Sequence, residues 1–322
     1  MSFRPVASLS LDLDNLWSYL KTHGDPSWSQ YSSYLPLVVP RVLAFLDRHG
    51  WRITFFVVGK DATAPSDIPW LRRIAESGHE IGNHSFHHEP WLHLYSEDEV
   101  DQEITSAEQA IEQATGSRPR GFRGPGFSVS PMVLGVLARR GYFYDASTFP
   151  TYLGPLARAY YFATARLTPE QKAQRRKLFG TFRDGLRPLA PYYWKTSPER
   201  ILEIPVTTFP WVKFPIHLSY LLYLATFSRQ TALSYFRAAL MACRVARISP
   251  SLLLHPLDFL GADDVKELSF FPAMALGCDK KMALCREFLQ LFASYFTPVT
   301  MAEHAHQLTT ARCLAHRSLA QF

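Results

Sequence analysis

Residues 7–13 (Ala-Ser-Leu-Ser-Leu-Asp-Leu) alternate apolar and polar, the period of a strand. The period lengthens to that of a helix over 39–49, with Pro40 tolerated in its first turn and Gly50 as a left-handed stop. Residues 52–58 (Arg-Ile-Thr-Phe-Phe-Val-Val) are β-branched and aromatic, a buried strand closed by Gly59. A helix over 68–77 ends at Gly78, and 79–82 reads as a short strand. Ser96 and Glu99 form a capping box for a helix to about 115, stopped by Gly116. Residues 120–122 make another short strand, Ser130-Pro131 start a helix to 140 capped by Gly141, and 142–145 form the next strand. This alternation over 7–150 predicts a parallel sheet wrapped by helices, with its chemistry at the C-terminal ends of the strands.

The rhythm breaks at 151–200, where Tyr, Arg, Leu and Pro dominate and Thr168-Pro169-Glu170-Gln171 makes a second capping box. It returns with a strand at 201–207. Residues 211–245 are aromatic-rich and expected to be largely helical, 251–255 form a buried strand, and helices follow at about 280–295 and 300–308. No internal repeat or low-complexity tract interrupts the chain. The expectation is a single domain over 1–322, with an insert at about 151–250 and a helical C-terminal region at about 260–322. The longest apolar stretch, 214–227, is shorter than the roughly 20 residues of a membrane span and contains Pro215 and His217, so a buried or interfacial helix is expected there.

With 322 residues, 47% hydrophobic and 19% charged, the composition argues against a disordered chain. A chain of this length buries a core without disulfides or a structural metal. The net charge of +6 is mild. It suits anionic ligands or lipid head groups without singling out nucleic acid, and no nucleic-acid partner is expected. Cys243, Cys278, Cys285 and Cys313 form no CxxC pair, so free thiols are expected rather than a zinc ribbon or redox dithiol. Residues 1–10 lack an apolar signal core, and a cytoplasmic, unprocessed protein is expected.

Four constellations carry candidate chemistry. Asp12 and Asp14 lie two apart on a strand and share a face; paired carboxylates there are costly unless a cation sits beside them, the bland alternative being a solvated strand end. His84 and His88, in Asn83-His84-Ser85-Phe86-His87-His88, are one helical turn apart and reach one point, with His87 directed elsewhere. The alternative is a loop histidine cluster. Joined to the Asp pair, they make a two-histidine, one-carboxylate set with a spare carboxylate, suited to zinc or a similar divalent metal. Arg123, in Phe122-Arg123-Gly124-Pro125-Gly126-Phe127, is placed to hold a carboxylate bidentately, unless the segment is a plain Pro-Gly turn. His255 ends an apolar strand, either as a satisfied core residue or as a general acid.

Together these resemble the polysaccharide deacetylase family (carbohydrate esterase family four) over residues 8 to 258. Asp12-Leu13-Asp14-Asn15 is similar to an Asp-x-Asp variant of the first family motif, and His84 to His88 matches the His-Ser/Thr-x-x-His motif. Arg123 to Phe127 resembles the third motif, Tyr144-Asp145-Ala146-Ser147 the segment before a lid region, and Leu254-His255-Pro256 the last motif. The resemblance implies a distorted (β/α) barrel of about seven parallel strands with a helical, aromatic-rich insert. It implies that Asp14, His84 and His88 hold a divalent metal, zinc foremost, with cobalt, nickel or manganese as alternatives. Asp12 would be the general base, oriented by Arg123, and His255 the acid that protonates the departing amine. The backbone N–H of Gly126 would face the oxyanion, Phe127 would line the substrate site, and Asp145 would tune His255. Asn15 stands in place of the motif's glycine, and Gly126 in place of a tyrosine that walls the pocket.

The implied activity is metal-dependent N-deacetylation of an amino sugar in a glycan or glycoconjugate. Three readings compete with it: a lipid-linked amino sugar met at a membrane surface through an interfacial helix beginning at Trp211, a non-sugar amide, and an inactive glycan-binding relative. Packing of the insert as outer helices of the barrel is the alternative to the interfacial helix.

Overall fold

The computed structural model describes residues 4–165, 167–175, 178, 180–196, 199–311 and 314–319; Cys313 lies outside them. Among the described residues the strands are β1 (Val6–Leu13), β2 (Thr54–Val57), β3 (Glu80–Asn83), β4 (Gly121–Phe122), β5 (Tyr144–Asp145), β6 (Tyr192–Lys195), β7 (Arg200–Glu203), β8 (Ser251–Leu254), β9 (Thr297–Val299) and β10 (Ala315–Ser318). They form one sheet in the order β10-β6-β7-β5-β4-β3-β2-β1-β8, and β9 pairs with the start of β1. Every pairing is parallel except β6 with β7. The run from β7 through β1 to β8 is thus seven parallel strands. It curls until its ends meet: Thr207, just past β7, donates its N–H to the Ser251 carbonyl (3.0 Å), and Ser251 N–H donates to Thr207 Oγ1 (2.9 Å). This is a distorted (β/α) barrel.

The helices are α1 (Leu16–His23), α2 (Leu35–His49), α3 (Ile68–Glu76), α4 (Glu97–Thr115), α5 (Pro131–Arg139), α6 (Gly154–Thr164), α7 (Pro169–Gln174), α8 (Leu218–Phe227), α9 (Arg229–Val245), α10 (Cys278–Tyr295) and α11 (Met301–Ala311). The alternation in β1 sorts residues between barrel wall and barrel interior. Leu9, Leu11 and Leu13 join the main apolar cluster with residues of α2, α8, α9 and α10. Ser8, Ser10 and Asp12 point the other way and find polar partners. The inward face mixes a small apolar cluster, including Phe56, Tyr144, Leu202 and Met301, with buried hydrogen bonds: Met301 and Ala302 at the start of α11 donate N–H groups to Thr54 Oγ1 and Glu80 Oε2 (both 2.8 Å), and the Tyr144 hydroxyl donates to Glu80 Oε1 (2.8 Å).

Several expectations need correction. The helix expected at 39–49 begins at Leu35 with Pro36 in its first turn, which leaves Pro40 inside it. Helices α1 and α6 and strands β6, β9 and β10 were not anticipated. The strand expected at 201–207 stops at Glu203. Residues 211–217 are not helical: Thr208 bridges Pro215, and Trp211 and Lys213 adopt φ of 66° and 59°. Pro215 lacks the N–H a helix would use there, so α8 starts only after His217, and Ser228 in extended conformation separates it from α9. Both helices bury residues such as Leu218, Leu222 and Phe236 in the main cluster, as outer helices of the barrel.

Candidate active site at the strand ends

Asp12 is the last inward position of β1, and Asp14 follows as the strand ends. Asn15 then turns the chain by N-capping α1, its Oδ1 accepting from Leu16 N–H (2.8 Å). Its amide nitrogen donates to Ser33 Oγ (2.9 Å), Asp61 Oδ1 (3.0 Å) and Asp67 Oδ2 (3.3 Å). Asn15 is a buried hub here, and the Tyr34 hydroxyl fixes the turn by donating to the Asp14 carbonyl.

The two metal-ligand candidates sit in the loop after β3. They are four residues apart, but the segment is no helix: Ser85 and His88 adopt φ of 60° and 52°. Asn83 Oδ1 accepts the Ser85 N–H (2.8 Å), and Glu103 Oε2 from α4 accepts the N–H groups of Phe86 and His87 (both 3.0 Å). His87 turns away and meets Glu103 with its Nδ1. The loop also packs on Gly59, where an added Cβ would lie 2.7 Å from Phe86 Cδ2 and from Ala107 Cα of α4.

This folding brings Asp14, His84 and His88 together, each buried, with one ligand atom apiece within 4.8 Å of the others. His88 Nε2 is 2.8 Å and His84 Nε2 3.3 Å from Asp14 Oδ1. Asp14 Oδ1 and both His88 ring nitrogens are buried with no hydrogen-bond partner among the described residues. Lone-pair atoms converging in a buried space are costly unless a cation satisfies them. His84 Nδ1 lies 2.6 Å from the Arg123 carbonyl. That contact takes the ring proton and leaves Nε2 as the ligand atom, as metal-binding histidines require. The donor set fits a divalent metal of the zinc type. Burial works against ionised Asp14, but His88 and His84 more than offset it and hold its carboxyl well below the usual range. Burial also opposes the charged form of His84, which Asp12 and Asp14 nevertheless raise.

Arg123 is fully buried. Its Nη1 donates to Asp12 Oδ1 (2.7 Å) and Ser10 Oγ (2.9 Å), its Nε donates to the Ala146 carbonyl (3.0 Å), and its guanidinium lies 4.4 Å from the Phe56 ring centroid. The bidentate grip on a carboxylate is therefore replaced by a single contact, because the other donors are spent on the barrel wall. In the same loop Gly126 and Phe127 adopt φ of 58° and 62°. Phe127 stacks on Phe149 (4.6 Å), which meets His217 edge-on (5.8 Å).

His255 follows β8. Its backbone N–H donates to Asp258 Oδ2 (2.8 Å), and its Nδ1 pairs with Ser219 Oγ of α8 (3.0 Å). Lys281, fully buried, donates to the carbonyls of Leu257 and Leu260 (both 2.7 Å) and so pins this strap. His217 lies 6.2 Å from His255, ring to ring; burial first, then the charge of His255, push it down to about 3. Neutral His217 is also what the N-cap of α8 needs, since its Nδ1 accepts from Tyr220 N–H (3.4 Å). The contacts of Asp145, expected to tune His255, lie with other residues. Asp145 is fully buried, accepts from Ser147 Oγ (2.6 Å) and interacts with Glu203. The partners of His255 are Ser219 and Asp258. Asp258 was legible as the acid three residues past His255, a capping-box spacing; Ser219 carried no local signal.

Among the described residues, no helix is long and apolar enough to cross a membrane. Residues 26–144 match the family model described as polysaccharide deacetylase. The chain is 33% identical over 151 residues to the peptidoglycan deacetylase-like protein FGM2 of Gibberella zeae, covering 44% of this chain and 43% of that one. It is 37% identical over 105 residues to the peptidoglycan-N-acetylmuramic acid deacetylase PdaA of Bacillus subtilis, covering 32% and 38%. The chain thus spans less than half the length of these curated relatives. Its fold is similar to that of a polysaccharide deacetylase structure, described as putative, from Mycobacterium smegmatis, with 22% identity, a TM-score of 0.61, and coverage of 98% of this chain and 95% of that one.

Proposed function

The chain belongs to the polysaccharide deacetylase family (carbohydrate esterase family four), and from that premise we propose that it is a metal-dependent hydrolase removing an N-acyl group, acetyl foremost, from an amino sugar in a glycan or glycoconjugate. The observation that carries this reading is the convergence of unsatisfied Asp14 and His88 atoms with His84, beside the Asp12–Arg123 pair. Asp14, His84 and His88 would hold the metal, zinc first, with cobalt, nickel or manganese suiting the same donors. When bound, such a metal supplies Lewis-acid polarisation of the acyl carbonyl and lowers the pKa of water.

The chain's own residues supply the rest. Arg123 pins Asp12 Oδ1, which orients the carboxylate to take the proton of the attacking water. His255, with Nδ1 held by Ser219, presents Nε2 to protonate the departing amine. The Gly126 N–H donates to the developing oxyanion. Phe127, Phe149 and His217 wall the site, replacing the aromatic face that a glycine at 126 forgoes.

A second reading, a lipid-linked amino sugar met at a membrane surface, draws on the insert. Trp211, Val212 and Phe214 are exposed around Lys213, whose Nζ donates to the Arg187 carbonyl (2.7 Å). Residues 151–250 carry fifteen Lys and Arg against four Asp and Glu, a net +11, which leaves −5 on the rest of the +6 chain. A basic insert with exposed Trp211 and Phe214 suits anionic lipid.

The test is acyl release by the metal-loaded protein from N-acetylglucosamine oligomers and from a polyprenyl-phosphate-linked N-acyl amino sugar, side by side. Release is expected to fall at least about a hundredfold in Asp12→Asn, the range for removing a general base. Release from the lipid-linked sugar alone would select the second reading. An Asp12→Asn or His84→Ala protein within tenfold of the original would overturn both.

A further inference from the structure

Beside the metal ligands, two lysines converge on one pair of indoles. Trp17 of α1 and Trp28 lie 5.7 Å apart, ring to ring. The Nζ of Lys60, just past β2, is 4.6 Å from the Trp17 centroid and 4.5 Å from that of Trp28; the Nζ of Lys21 is 5.8 Å and 5.4 Å from them. Trp17 also meets His88 edge-on at 6.4 Å, so the lysine pair and the metal ligands share a tryptophan.

The two ammonium groups are not equivalent. Lys21 is spent on Glu89 Oε1 (2.5 Å) and the His87 carbonyl (3.2 Å). Lys60 Nζ has no hydrogen bond or ion pair among the described residues, and of each nearby acid, Asp61 and Glu89, one oxygen is engaged elsewhere while the other is buried without a hydrogen-bond partner. Asp61 Oδ1 accepts from Trp17 Nε1 (2.7 Å) and from Asn15, and Glu89 answers Lys21. Burial, and then Lys21, lower the Lys60 pKa from its ordinary value. The indole faces hold the cation in place while leaving its three N–H donors unspent. Lys21 opposes the charge on Lys60 while Asp61 and Glu89 favour it, and with Lys21 paired to Glu89 it is Lys60 that keeps its donors for an incoming anion.

We propose that Lys60, seated between Trp17 and Trp28, binds an anionic group, carboxylate or phosphate, carried by the sugar substrate beside the amide that is cleaved. This rests on the deacylase reading and deepens it: Lys60 selects charged over neutral amino sugars.

The experiment compares the metal-loaded protein with Lys60→Gln, Lys60→Arg and, as a charge-matched surface control, Arg48→Gln. Substrates are a neutral N-acetylglucosamine oligomer, N-acetylglucosamine 1-phosphate and N-acetylmuramic acid, whose separate responses distinguish phosphate from carboxylate. In Lys60→Gln the ratio of KM for the preferred anionic substrate to KM for the neutral one is expected to rise about tenfold, or about 1.4 kcal/mol, with Lys60→Arg restoring most of it and Arg48→Gln leaving the ratio near its original value. Equal changes on charged and neutral substrates, or none on either anion, would overturn the proposal while leaving the deacylase reading intact. A binding arm stands apart from turnover: saturable quenching of tryptophan fluorescence by inorganic phosphate or by lactate. Quenching that disappears in Lys60→Gln and weakens in Trp28→Phe supports the subsite even if no amide is cleaved, and quenching by neither anion, or quenching unchanged by Lys60→Gln, overturns it.

Discussion

Replacing Arg123 by methionine removes a charge from the middle of the barrel while roughly keeping its length. The side chain is fully buried, and Asp12, its ion-pair partner at 2.7 Å, is 4% exposed. Methionine leaves that carboxylate without its counter-charge, and breaking one side of a buried pair costs about 3–5 kcal/mol. The Ser10 hydroxyl and the Ala146 carbonyl also lose their donor, at about 1 kcal/mol each where no water replaces it. Against a total stability of about 5–15 kcal/mol, the loss is large but measurable. Urea unfolding followed by tryptophan fluorescence, in chelator so that metal binding does not contribute, reads it directly. Asp12→Asn strands the guanidinium and should also destabilise by several kcal/mol. The double variant removes both charges, so it should be at least about 2 kcal/mol more stable than the sum of the single losses implies. An Arg123→Met loss below about 1 kcal/mol, or strictly additive losses, would refute the claim that this pair is the electrostatic centre of the barrel.

Two further outcomes follow. Saturating zinc at about a hundred times its Kd should add about 2.7 kcal/mol to the stability of the chelated protein, read as a rise in Tm that His88→Ala abolishes; an equal rise in that variant would move the metal elsewhere. His79 is buried, accepts from Ile53 N–H (3.2 Å), and is pushed down to about 4 by burial first and Arg52 second. Its folded pKa lies below the unfolded 6.5, so the unfolded chain takes the proton first as pH falls. The stability is intact above about 6.5 and lost towards 4, by up to about 3 kcal/mol. The urea midpoint should therefore drop between pH 7 and pH 5, and less so in His79→Asn; parallel drops in both proteins would exclude His79 as the cause.

Much of the strand–helix alternation to residue 145 was legible where helices carry their own start and stop signals, as at Ser96 with Glu99 and at Gly116, whereas α2, with no side-chain cap at Tyr34, was read as starting four residues late. The candidate ligand set was legible because one carboxylate and two imidazoles fall just past the ends of β1 and β3, which flank β2 in the parallel sheet. Their local geometry was not. Spacing of four suggests a helical turn, yet Glu103, from a helix that starts nine residues after His88, organises residues 84–88 as a loop. The environment of His255 was half legible: Asp258 lies within its own strap, whereas Ser219 and His217 arrive from α8, thirty-odd residues earlier, and no local pattern announces that contact. The tight turn that ends β1 was hidden too, since Asn15 finds Asp61 and Asp67 only once the barrel has formed.

Those tertiary contacts explain how the site holds its shape. Ser85, His88 and Phe127 adopt left-handed conformations, and Gly126 does so in the loop after β4. For the three non-glycine residues this costs of order 1–3 kcal/mol each, which persists only where the surroundings over-determine the backbone. In the loop after β3 the surroundings are Glu103, which accepts two backbone N–H groups and the His87 ring, and Asn83, whose amide nitrogen is held by the Ile104 carbonyl (3.2 Å) and Tyr142 hydroxyl (2.8 Å) while its oxygen holds Ser85. His87, which makes no ligand contact, is thus part of the reason His84 and His88 meet. A helix would have supplied the same spacing without strain, but it would have projected both imidazoles from one face, one turn apart. The strained loop instead lets His84 rest on the Arg123 carbonyl while His88 turns to Asp14 and packs its ring against Trp17. The Arg123 backbone therefore fixes a metal-ligand candidate, and its side chain fixes Asp12, the candidate base, so the two halves of the candidate site cannot drift independently.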